Sequence, residues 1–157
     1  MKRTVILLSL IFALAIALSV SIPTLAASSD NTTVSGNLGA KIEVTAPSAI
    51  SLTLDPNASP ATGTSATPGS VKSNRAWTVT VTGDETTMYS QAAPTTKLAA
   101  PFQVNLGSGL VDISTAPTCT GAKTSGTSIT LSVSQAVSWL DDPASDYQIV
   151  LTFAGTN

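Results

Sequence analysis

Five stretches of this chain place an apolar residue at every second position. Trp77, Val79 and Val81 alternate with Thr78, Thr80 and Thr82, and Ile50, Leu52 and Leu54 with Ser51 and Thr53. Phe102, Val104 and Leu106 alternate with Gln103 and Asn105, and Ile129, Leu131 and Val133 with Thr130 and Ser132. The last stripe is Tyr147, Ile149, Leu151 and Phe153. A period of two puts one face of an extended chain into a core and the other into water, so each stripe predicts a half-buried strand. Thr, Ser and Val suit a pleated surface, and the Glu, Lys and Leu runs that favour helices are missing. Ile42 with Val44, Val71, and residues 110–113 add weaker segments, for seven to nine short strands. Turn signals such as Asp55-Pro56-Asn57, Gly107-Ser108-Gly109 and Asp142-Pro143 separate them. The expected fold is all-β, an antiparallel β-sandwich of Greek-key-like connection. Helical turns are expected only around 86–92 and 134–140. Residues 55–70, rich in Ser, Thr, Pro, Ala and Gly, predict a mobile loop inside one domain.

The N-terminus has a different character. Lys2 and Arg3 precede an apolar run over residues 5–20, then Pro23 and the small residues Ala26, Ala27 and Ser28. This is the three-part pattern of a secretory signal peptide, residues 1–26, leaving a secreted β-sandwich domain over 27–157. A retained membrane anchor is the other reading of the apolar run, which is about the minimum length for a span. The small-residue end favours removal, and no membrane contact is then expected. No Cys follows the cleavage region to carry a lipid, and no C-terminal sorting tail is seen, so retention at a surface would be non-covalent. Cleavage removes Lys2 and Arg3, leaving five basic against nine acidic residues, a net charge of −4.

These numbers narrow the chemistry. The chain has no His, which removes the usual neutral-pH proton shuttle and the commonest nitrogen ligand for transition metals. No S-x-x-K, G-x-S-x-G or G-x-x-x-x-G-K occurs. An enzyme is therefore not expected, and no cofactor is implied. The acidic pI of about 4.7 argues against nucleic acid. Asp141, Asp142 and Asp146 cluster in one segment and have the ligand chemistry for Ca²⁺, but not the spacing of an EF-hand loop. A solvated turn is the expected reading, with no metal. Cys119, in Pro-Thr-Cys-Thr-Gly, is expected in an exposed turn as an incidental free thiol, the other possibility being a cross-link to another chain. Trp77 lies on an apolar stripe and is expected in the core. Trp139, beside Leu140, would stack on sugar rings or bind a partner if exposed, but burial is the expectation. Sequons occur at Asn31 and Asn57.

Two segments carry a family resemblance. Arg75-Ala76-Trp77-Thr78-Val79-Thr80-Val81 resembles the W-x-L segment of WxL-type cell-surface domains, with Val79 in the Leu position. Tyr147-Gln148-Ile149-Val150-Leu151-Thr152-Phe153 is similar to that family's closing Y-x-x-x-L-T-W element, with Phe153 in place of the Trp. Trp77, Val79, Tyr147, Leu151, Thr152 and Phe153 are the motif positions, to be filled by binding or core residues. The resemblance implies a secreted, non-catalytic surface or adhesion protein held non-covalently by cell wall polymer or by other surface proteins. A second reading comes from residues 33–44. There Val34, Leu38, Ala40, Ile42 and Val44 fall at even positions. Such an arm, with Val34, Leu38 and Ile42 as its anchors, could donate a strand to a neighbour and build a filament or sheath by self-association. The simpler expectation is that it pairs within its own domain as the first strand.

Overall fold

The computed structural model describes residues 32–157. The expected leader, residues 1–26, and the sequon residue Asn31 lie outside that range. The chain divides into two units, Met1–Asn37 and Leu38–Asn157. Of the first, residues 32–37 are described and carry no regular secondary structure.

The second unit is all-β and β-sandwich-like. Its strands are β1 (Ile42–Thr45), β2 (Ala61–Thr64), β3 (Gly69–Ser73), β4 (Trp77–Gly83), β5 (Tyr89–Ser90) and β6 (Phe102–Asn105). They continue as β7 (Val111–Asp112), β8 (Thr118–Gly121), β9 (Thr124–Ile129), β10 (Ser132–Gln135), β11 (Tyr147–Gln148) and β12 (Leu151–Thr156). All pairings are antiparallel, in the orders β1-β3-β9, β2-β10-β6-β7, β11-β5 and β12-β4-β8. Two 3₁₀ turns, Pro56–Ala58 and Ile113–Thr115, are the only helical elements among the described residues.

The first two sheets share a bent ribbon. β3 pairs with β9 from Ser73↔Thr124 to Gly69↔Ile129, and β2 pairs with β10 from Thr64↔Ser132 to Ala61↔Gln135. Between them the ladder is irregular, and the buried Ser65 holds the bend: its N–H donates to the Leu131 carbonyl at 2.9 Å and its hydroxyl accepts from the Leu131 N–H at 3.4 Å. The inner face of β4 lies against both halves. Trp77 and Val79 pack with Val71 and Ile129, while Val81 packs with Val104, Val133 and Phe102.

Several sequence expectations are corrected here. Residues 55–70 are not a mobile loop: they hold the 3₁₀ turn at 56–58, all of β2 and the start of β3. Polar bonds fasten the part without a ladder, since Ser48 N–H donates to Thr67 O and Thr67 N–H to the Ser48 hydroxyl, at 2.9 and 3.0 Å. Residues 50–54 form no strand; Ile50, Leu52 and Leu54 turn inward all the same and pack on the core. The 147–153 stripe splits between β11 and β12, which belong to different sheets. Residues 86–92 and 134–140 contain no helical turn, and Cys119 sits on β8 rather than in a turn.

Glycines complete the inner faces. A Cβ on Gly63 would lie 2.5 Å from Ile50 Cγ2, one on Gly155 2.5 Å from Val44 Cγ2, and one on Gly121 2.5 Å from Trp77 Cζ2. Large side chains from elsewhere in the chain thus occupy the space these strands leave empty. Gly121→Ala would force the buried indole aside, so it is expected to cost roughly 1–3 kcal/mol. A urea midpoint shift measures this, and an unchanged midpoint would refute the tight seat.

Candidate binding groove at the Trp139 turn

The motif positions form packing surfaces. β12 pairs with β4 with Phe153 opposite Val81, Thr152 opposite Thr82 and Gly155 opposite Val79, so the two resembling segments meet directly only at Val81 and Phe153. Trp77 is 5% exposed and Val79 fully buried. Leu151 and Phe153 pack half-buried against the core and Thr152 faces solvent. Tyr147, on β11, donates its hydroxyl hydrogen bond to the Asp142 carbonyl at 2.6 Å. The Trp77 ring packs into the core with Val71, Val79 and Ile129.

Trp139 has the opposite fate. Expected in the core, it is 74% exposed, and its neighbour Leu140 is 95% exposed. The physical reason is the turn they occupy. The Asp141 N–H donates to the Ser138 carbonyl at 3.3 Å, so Trp139 and Leu140 are the two central residues of a β-turn and point away from the chain ends that anchor it.

One member of the acidic cluster, Asp141, braces that turn, and a second, Asp146, ties the following loop to residues 90–92. Asp141 accepts from the Ser138 N–H at 2.7 Å through Oδ2 and from the Ala99 N–H at 3.0 Å through Oδ1. Asp146 accepts from the Ser90 hydroxyl at 2.8 Å and the Ala92 N–H at 2.6 Å. Upstream, Val137 N–H donates to the Ser59 hydroxyl, and the buried Gln135 amide donates to the carbonyls of Ala100 and Ala136. Two of the three carboxylates are thus spent on backbone and hydroxyl donors, and no metal-holding group of His, Cys, Asp and Glu occurs among the described residues.

Partial burial pushes the Asp141 carboxyl up, but the Ser138 and Ala99 hydrogen bonds outweigh it and hold the group below its usual range. The Ala92 N–H, then the Ser90 hydroxyl, hold Asp146 below its usual range as well. Both folded pKa values are depressed, so their contribution is complete above the unfolded value of 3.8 and is lost as pH falls through the folded values. Trp139 fluorescence anisotropy is expected to stay constant from neutral pH down to about pH 4 and to fall below it as the turn loosens. In Asp141→Asn the low value should already hold at neutral pH; a pH-independent wild type would refute the bracing.

Beside the turn lies a groove of about 680 Å³. Leu54, Leu98, Val137 and Pro143 make its apolar floor and walls, while Ser138, Asp142 and Ser145 add polar groups at its edge. Burial, then the carboxylates of Asp141, Asp142 and Asp146, raise the Tyr147 phenol, which stays protonated at neutral pH. An open indole face, an apolar floor and an edge of hydroxyl and carboxylate groups together suit a ligand that is apolar on one face and hydroxylated at its edges.

Cys119 lies elsewhere, half-buried on β8 opposite Val79. Burial pushes its thiol up, which lowers the thiolate fraction at neutral pH. Alkylation by iodoacetamide is expected to be slower than that of free cysteine and to accelerate in urea; equal rates would refute the burial.

No protein-family model matches the chain, and no curated protein matches it either.

Proposed function

We propose that the chain is a secreted, non-catalytic cell-surface module of WxL-like kind that associates non-covalently with cell wall polymer through the Trp139 groove. The exposed indole on a braced turn carries the reading. The exposed Trp139 and Leu140, continuous with an apolar groove, make up a contiguous apolar patch of the kind that marks interaction surfaces. Saccharide rings fit its chemistry, because their C–H faces stack on an indole while their hydroxyls reach the Ser138, Asp142 and Ser145 groups. The signal-peptide pattern at residues 1–26 supports export, and the two resembling segments support a wall-associated role. The missing His and the use of Asp141 and Asp146 as braces support binding rather than catalysis.

The mature chain, residues 27–157, incubated with purified wall sacculi is expected to sediment with them. Retention no greater than that of a control β-sandwich of similar size and charge would overturn the reading.

A further inference from the structure

The two layers of the domain close unevenly along β12. At Gly155 the side chains of Ile42 and Val44 fill the space over the strand. Toward the start of β12 the layers part, leaving an apolar cleft of about 350 Å³ lined by Ile50, Leu52, Phe102, Leu131, Leu151 and Phe153, among others. Ile149 and Val150 also line it, as does the strandless segment Ala46–Ala49 on its far rim, and no residue of β4 does, so it lies on the side of β12 away from its sheet partner. Among the described residues β12 has no other strand partner, so this edge carries unpaired N–H and C=O groups.

Edges that must stay single usually carry charges. β1 does: Glu43 on that strand pairs with Lys41 at 2.9 Å and with Lys72 at 3.7 Å, all well exposed. β12, Leu-Thr-Phe-Ala-Gly-Thr, has neither a charge nor a proline. The unpaired edge and the apolar cleft therefore coincide where nothing repels an added strand.

The chain also carries a segment of matching form. Ile42 and Val44 belong to β1, paired with Ser73 and Val71 of the same chain. Gly39 and Lys41 are tied to Asn74, whose side-chain amide donates to Gly39 O at 2.7 Å and accepts from the Lys41 N–H at 2.9 Å. Residues 33–38, upstream of that tie, form no strand. In an extended conformation they put Val34, Gly36 and Leu38 on one face and Thr33, Ser35 and Asn37 on the other. Val34 and Leu38 are 91% and 84% exposed. At about 3.3 Å per residue, six residues span roughly 20 Å, enough to pair along the open stretch from Ile149 to Phe153. The segment bears no charge, and Gly36 at its centre allows close approach to the floor.

We propose that residues 33–38 of one copy add as a strand to the β12 edge of a second copy, with Val34 and Leu38 entering its apolar cleft. Because each copy has both donor and acceptor, the contact is head-to-tail, and repetition yields an open filament or a closed ring. This inference does not rest on wall binding, since the Trp139 turn takes no part in the contact.

The test uses the mature chain, residues 27–157, in sedimentation velocity and negative-stain electron microscopy. Concentration-dependent oligomers are expected, and V34D/L38D, altered at two exposed positions, should be monomeric with an unchanged urea midpoint. As a second measurement, a synthetic peptide of residues 33–40 should bind that monomeric variant, and its V34D/L38D counterpart at least about tenfold more weakly. A mature chain that stays monomeric overturns the proposal. So do oligomers that persist in V34D/L38D, or a wild-type peptide that binds no better than its substituted form.

Discussion

Trp77→Ala is expected to destabilise the mature domain by roughly 3–5 kcal/mol, the range for deleting a large buried aromatic. The indole joins three strands: it packs with Val71 of β3 and Ile129 of β9, and lies over Gly121 of β8. Gly121 cannot move in to refill the space, because it has no side chain and is held in a ladder with Trp77 itself. One effect works the other way. The Trp77 Nε1–H is buried without an acceptor among the described residues, so removing it relieves a desolvated donor. Trp77→Phe, which keeps much of the ring and drops that donor, should therefore cost clearly less than Trp77→Ala. Domains of this size have only about 5–15 kcal/mol in hand, so the alanine variant should show a large drop in urea midpoint. A loss below about 1 kcal/mol would mean that the indole does not organise this part of the core.

Trp139→Ala should leave the urea midpoint within about 0.5 kcal/mol of the parent, because the side chain stands in solvent. Its effect should appear in binding instead. Retention on wall sacculi is expected to fall more than about tenfold, a change of 1.4 kcal/mol or more in binding free energy. Trp139→Phe should keep part of the retention, since a smaller ring still offers a flat face. Leu140→Ala separates ligand types. A saccharide stacked on the indole loses little when the Leu is shortened, whereas a protein partner covering the turn loses comparable affinity from both changes. If Trp139→Ala is retained as well as the parent, the groove is not the binding site.

The two tryptophans show what could and could not be read from the chain alone. Trp77 has Val79 and Val81 at two and four positions beyond it, and this local stripe correctly gives its inward direction. Trp139 has Val137 two positions before it, so the local period turns it inward as well, and the structure overrides that signal. Its direction follows from the Ser138–Asp141 turn and from the Asp141 bond to the Ala99 N–H, forty-two residues earlier in sequence. Glycine strands were illegible for a related reason. β2, Ala-Thr-Gly-Thr, and β8, Thr-Cys-Thr-Gly, have no apolar stripe of their own. Their inner faces are filled by Ile50 and Leu52 over Gly63, and by Trp77 over Gly121.

The alternation of side chains determined the all-β class and most of the inward-facing residues, because that pattern depends only on each residue's neighbours in the chain. It held even where no ladder forms: Ile50, Leu52 and Leu54 turn inward without belonging to a strand. The tertiary structure decided which stretches pair, where the long ribbon bends, and that residues 55–70 are ordered. It also put Trp139 in water and left one edge of β12 open. Those outcomes depend on hydrogen bonds and packing between segments distant in sequence, such as Ser48 with Thr67 and Ser65 with Leu131, and a local period carries no information about a distant partner.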